Sequence, residues 1–169
     1  IKESIIMNIT IPAEALADAV NKVAAVTDRT RLLLILANIK IDIEDGFFKV
    51  TATDLEMTVI QVVNTGVAAS ETASFLVHGR IFSDILKTLE KGELTLEIKE
   101  NKLHISQKNS VFDLALADLD EYPEIKEVKA DSVFSMTSAE LLSLLKVSYA
   151  MSSDETRPGL NGICLASND

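Results

Sequence analysis

Ser74-Phe75-Leu76-Val77-His78-Gly79-Arg80-Ile81-Phe82-Ser83-Asp84-Ile85-Leu86-Lys87-Thr88-Leu89 changes its period halfway along. Ser74 to Val77 read as a short strand. From Arg80 onward Phe82, Ile85, Leu86 and Leu89 return at helical spacing and draw one buried stripe. The same unit stands upstream, where Ile9-Thr10-Ile11 alternates as a strand and Pro12 opens a helix carrying Leu16, Val20, Val23 and Ala24 on one face. It stands again downstream, where Val133-Phe134-Ser135-Met136 leads through Thr137-Ser138 into a helix with Leu141, Leu142 and Leu145. Ser138 is the expected N-cap of that third helix.

Strands fill the intervals. Ile39, Ile41 and Ile43 alternate with polar residues up to a Glu44-Asp45-Gly46 turn, and Phe48, Val50 and Ala52 alternate on the return. Met57, Val59 and Gln61 to Val63 continue as a third strand. Leu94, Leu96 and Ile98, then Leu103 and Ile105, then Phe112, Leu114 and Leu116 repeat the series. Residues 7–119 thus read as strand, helix and several antiparallel strands, twice over. A period of two with one polar face means sheets covered on one side, and two helices are at hand to cover them. The fold class is α+β.

Residues 120–132 are acidic and contain Pro123, a linker composition. Beyond them the first pattern restarts. Thr137 stands where Ile11 stood, 126 positions on, and Leu160 to Leu165 sit as Leu36 to Ile41 did. A repeat that long means duplicated domains. The expected division is an extension at 1–6, a first domain at 7–125, and a linker with the beginning of a second domain at 126–169. Ile1 is not an initiator, so residues 1–6 read as an extension ahead of Met7. A half domain leaves its sheet face open, so a longer native protein is expected.

The chain of 169 residues is 47% hydrophobic and 25% charged, the range of globular proteins, with a formal charge of −10. A body gripping nucleic acid by bulk charge is usually basic, so any such contact has to come from a local basic face. Cys164 is the single cysteine, which excludes an internal disulfide, fits a reducing, cytoplasmic setting, and reads as a small core residue on an apolar strand. No run of residues suits a membrane span.

Candidates for chemistry each have a plainer reading. His78 and His104 are the only histidines and have no ligand partners at metal-site spacing. Asp54 and Glu56 would share a strand face and could act as an acid–base pair, but a turn cap accounts for them as well. Asp118, Asp120, Glu121 and Glu124 lack calcium-loop spacing. There is no phosphate-binding glycine loop and no nucleophile elbow. No catalytic residue and no cofactor is expected. The basic residues Lys22, Arg80, Lys87, Lys91 and Lys146 lie on or beside the helices, off the apolar stripes, with Arg29 and Arg31 after the first helix. Arg80 and Lys87 are two turns apart on one face. Ordinary surface charge is the plainer account, and Asp18, Asp84 and Glu90 dilute the patch.

Ser152-Ser153-Asp154-Glu155-Thr156-Arg157-Pro158-Gly159-Leu160-Asn161-Gly162 resembles the opening of the second domain of bacterial DNA polymerase sliding clamps (beta subunits), which reads "DETRxxLNG". Thr53 to Met57 is similar to that family's "TDLEM", Leu34 to Asn38 to its "PILAN", and Asp118 to Pro123 to its interdomain stretch. The likeness runs in order over residues 7–169. It implies a clamp fold, antiparallel sheets with two helices packed on one side per domain, and a head-to-tail homodimer of three similar domains each. Helices line the hole and duplex DNA threads it without sequence readout. It implies no enzyme, but an accessory processivity factor that binds the polymerase and clamp loader through peptide motifs. The resemblance implies a DNA-touching basic residue in the loop after the first helix, where Arg29 or Arg31 is nearest, and Arg157 and Leu160 match residues at the edge of the partner-peptide cleft. Lys22, Arg80, Lys87 and Lys146, which avoid the apolar stripes, are then expected to face DNA as well. Leu34 stands where the family has Pro, so that loop departs from the pattern. The competing reading of a different class is a non-DNA interaction module on the same fold. Loss of DNA affinity in the full-length protein separates the two.

Overall fold

The computed structural model describes residues 7–27, 33–44, 46–64, 72–125, 135–154 and 156–166. The chain divides into two units, one ending at Ile125 and one running from Lys126 to Asp169.

The first unit starts with β1 (Met7–Pro12) and α1 (Ala13–Ala24). Pro12 has the φ of −61° that its ring imposes and stands at the N-cap, where no backbone N–H is missed. Then come β2 (Asn38–Glu44), β3 (Phe47–Thr53) and β4 (Thr58–Asn64). The second half repeats the order with β5 (Ala73–His78), α2 (Gly79–Thr88), β6 (Glu93–Lys99), β7 (Lys102–Gln107) and β8 (Ser110–Ala117).

Hydrogen bonding does not follow that division. The strand order is β1-β6-β7-β8-β5-β2-β3-β4. Each half places its opening strand in the other half's sheet: β1 pairs with β6, from Met7 against Ile98 to Pro12 against Glu93, and β5 pairs with β2. The two four-stranded groups meet only at Leu76 against Ala117 and Val77 against Leu116.

Strand alternation sends Ile39, Ile41, Ile43, Phe48, Val50, Leu94, Leu96, Leu103, Ile105 and Leu114 to one face. There they meet Leu16, Val20 and Val23 of α1 and Phe82 and Leu86 of α2. Fully covering side chains of this size contributes about 1.5–3 kcal/mol each. On the opposite face Leu76 is also buried, although it lies outside that core cluster. The 3-10 turn Leu119–Glu121 packs on β5, and Tyr122 is half-buried beside Thr53. Residues 120–125, a linker by composition, therefore pack on the first unit, because their apolar members cover a sheet face.

The helices run in opposite senses. The N–H of Ala13, at the start of α1, donates to the carbonyl of Gly92, just past the end of α2, at 2.8 Å. Farther along, the Ser83 hydroxyl donates to Asn21 Oδ1 at 2.6 Å. Gly92 has a φ of +126°, which favours glycine. The loop holding Gly92 is pinned by the buried Gln107 amide, which bonds the N–H and the carbonyl of Glu90, each at 2.9 Å.

The second unit contains α3 (Ser138–Leu145), a 3-10 segment Lys146–Ala150 and a 3-10 turn Pro158–Leu160. Thr137, not Ser138, is the N-cap. Its hydroxyl accepts from the Glu140 N–H while the Glu140 carboxylate takes the Thr137 N–H, a reciprocal box that Ser138 could not make because no Glu or Gln lies three residues after it. Val133 and Phe134 of the expected third strand lie outside the described residues, and Ser135 to Thr137 have no regular structure. Ile163 to Leu165 likewise form no strand, since no neighbouring strand is present to pair with them among the described residues, and Cys164 is exposed rather than a core residue. Leu141, Leu142 and Leu145 are exposed on α3.

Candidate nucleic-acid interface

On α1 the buried residues Leu16, Ala19, Val20 and Val23 turn Glu14, Asp18, Asn21 and Lys22 toward solvent. On α2 the buried Phe82, Ser83 and Leu86 leave Arg80, Ile81, Asp84 and Lys87 outward. The outward faces of two adjacent antiparallel helices make one layer on the side of the core opposite the sheets.

Lys22 Nζ lies 2.6 Å from Asp18 Oδ2, one turn earlier, and Lys87 Nζ lies 3.1 Å from Asp84 Oδ1. Both orders put the acid N-terminal and the base in the last turn, which suits the local side-chain pairing and the helix dipole. All four side chains remain more than half exposed, the lysines at 55% each. Arg80 makes no ion pair among the described residues. Because the helices are antiparallel, Lys22 and Lys87 stand at opposite ends of the layer. A Cβ on Gly79 would come within 3.0 Å of the Thr27 side chain, so the start of α2 abuts the end of α1. Arg80 therefore shares an end with Lys22, while Lys87 shares the other with Lys91 of the following loop. Arg29 and Arg31 lie outside the described residues.

Lys146 is exposed and opens the 3-10 segment after α3. Arg157 and Leu160 sit together in the second unit's tight turn: the Leu160 N–H donates to the Arg157 carbonyl at 2.9 Å, and the Leu160 carbonyl accepts from the Ser152 N–H at 2.9 Å. Leu160 is 56% exposed, so it serves no core strand within the described residues. Arg157 Nε is 3.8 Å from Asp154 Oδ2. The Thr156 hydroxyl and amide hold the Asp154 carboxyl below its usual value.

The acid–base candidates resolve into structural roles. Asp54 and Glu56 are in the β3–β4 turn and not on a strand face. Asp54 Oδ1 accepts from the amides of Glu56 and Met57, at 3.1 and 2.7 Å, and Leu55 has a φ of 76°. Met57 accordingly precedes β4 instead of belonging to it. His78 caps α2, and His104 Nδ1 meets Asp113 Oδ1 across β7 and β8 at 2.5 Å. No group of three or more potential metal ligands occurs among the described residues, and no helix of them is long and apolar enough to cross a membrane. The Lys108 ammonium, which pairs with Glu90, holds that carboxyl below its usual value.

Sequence reading named the lysines but missed that Asp18 and Asp84 occupy them. The signal was present in the spacings Asp18 to Lys22 and Asp84 to Lys87, four and three residues.

A family model described as the N-terminal domain of the DNA polymerase III beta subunit matches residues 7–126. The chain is 31% identical over 164 residues to the beta sliding clamp of Pseudomonas aeruginosa, covering 96% of this chain and 44% of that protein. It is 27% identical over 165 residues to the beta sliding clamp of Rickettsia bellii, covering 96% and 43%. The crystal structure of the DNA polymerase III subunit beta from Pseudomonas aeruginosa superposes with a TM-score of 0.85 at 29% identity, over 92% of this chain and 42% of that one. The chain thus spans less than half the length of the relatives it matches.

Proposed function

This chain belongs to the DNA polymerase III beta subunit family, and on that premise we propose that it is part of a cytoplasmic processivity factor, a ring that encircles duplex DNA and tethers the replicative polymerase. The observation that carries the reading is the agreement of the family match over residues 7–126 with the α1–α2 layer. That layer gathers exposed basic side chains on the face away from the sheets, in a body of charge −10. The two helices hold Glu14, Asp18, Lys22, Arg80, Asp84 and Lys87, for a net charge of zero. A layer of net zero charge repels a polyanion less than the chain's charge of −10 would by itself. Contacts made only to phosphate carry no sequence information, as a protein that travels along DNA requires.

In this role the protein performs no chemistry. It keeps the polymerase near its template, so that each rebinding is intramolecular at high effective concentration. Within the first unit Lys22, Arg80 and Lys87 face the duplex, with Arg29 and Arg31 in the same role; within the second unit Lys146 takes that role. Arg157 and the exposed Leu160 belong to the site that takes polymerase and clamp-loader peptides, and the full-length protein is a homodimer.

The test is topological. Full-length protein placed on nicked circular DNA should stay associated at high salt, where charge contacts fail, and should leave when the circle is cut once. Equal retention on circular and linear DNA, or none on either, overturns the ring.

A further inference from the structure

Resting on the reading that α1 and α2 face duplex DNA, we propose that Asp18 and Asp84 are affinity-setting residues: internal anions that hold Lys22 and Lys87 and that a phosphate must displace to make its contact. Each carboxylate lies one turn before its lysine, in contact with it at 2.6 Å in one pair and 3.1 Å in the other. The two pairs are alike in order and exposure and sit at opposite ends of the layer. Two unit charges 4 Å apart in water attract by about 1 kcal/mol, whether the anion is a carboxylate or a phosphate. The lysine therefore exchanges one anion for another of similar strength. As the duplex advances by one phosphate, the lysine returns to its own carboxylate instead of standing unpaired. The energy along the track stays flat. Arg80, without such a partner among the described residues, supplies the remaining attraction.

The probe is a 20-base-pair duplex of mixed sequence, titrated into the isotopically labelled 169-residue chain at low salt and at several salt concentrations. Asp18→Asn with Asp84→Asn should tighten binding by about two- to fivefold per residue, the range of exposed ion pairs. The slope of log K against log salt should steepen by about 0.9 for each lysine released. Glu44→Gln with Glu97→Gln removes the same charge from the strand faces turned away from the helices and should change affinity less than twofold. Equal tightening in this control, or no tightening in the double Asn variant, overturns the proposal. Lys22→Glu with Arg80→Glu and Lys87→Glu tests the DNA-facing reading separately. If that variant binds as well as the parent, the reading itself fails; if it binds less but the Asn variant is unchanged, only the affinity-setting role fails. Absence of binding in every variant overturns both. Unchanged melting temperatures establish that the variants fold.

Discussion

Gly79 is where α2 leaves β5, and its Cα faces Ile39 of β2 so closely that an added Cβ would stand 2.8 Å from that side chain's Cγ2. Gly79→Ala should therefore lower stability by about 1–3 kcal/mol, the usual cost of overpacking, read by urea denaturation. Tyr122 gives a prediction with a pH sign. Burial pushes its phenol up to about 12, against the opposing pull of the Thr53 backbone amide. The unfolded chain would release that proton near 10. The neutral form is the one the fold favours, so its stabilisation is complete below pH 10 and is lost as pH rises from 10 to 12. After discounting for its half-exposed ring, the loss is on the order of 1 kcal/mol. The chain has two tyrosines, so ultraviolet titration of Tyr149→Phe reads Tyr122 alone. A midpoint no higher in the folded protein than in urea would refute the burial account. None of this was legible in the sequence, because His78-Gly79 reads only as a turn and Tyr122 only as part of an acidic stretch. Their neighbours, Ile39 and Thr53, are 40 and 69 residues away.

Elements were legible where the sequence carries a period. The stripe of Leu16, Val20 and Val23 and the alternation of Ile39, Ile41 and Ile43 come from burial on one side, and burial is what the structure shows. Which strands pair was not legible, because β1 and β6 are joined by register across most of the unit, not by local chemistry. In the second unit the third helix was legible but its cap was misplaced by one residue, since Thr137 and Ser138 are both capping types and only the reciprocal bond to Glu140 distinguishes them. Thr137→Ala should cost about 1 kcal/mol of helix stability and Ser138→Ala much less. Hydrogen exchange at the Glu140 and Leu141 amides measures both; equal effects would contradict the cap. The spacing of Lys22, Arg80 and Lys87 off the apolar stripes placed them on the solvent side of their helices, whereas the antiparallel arrangement of α1 and α2 depended on Gly92 and Gln107, which hold one loop against α1.

At the scale of the molecule, charge and connectivity act together. The chain is acidic while the two helices of the first unit together carry no net charge, and that is visible only once the helices are located. The exchange of opening strands has a further consequence. A chain cut after Asn64 yields two pieces, neither of which owns a complete sheet: residues 7–64 carry β1 without β6, and the remainder to Ile125 carries β6 without β1. Each piece alone should be largely unstructured, since its edge strand and half of its core are on the other. Mixed, they should reassociate in a one-to-one ratio and recover the circular dichroism of the parent. If either piece folds by itself, β1 and β5 are not the clasps the pairing makes them. The first unit is in this sense a pair of interlocked hands, and a reporter split at that point would come together only when its two halves meet.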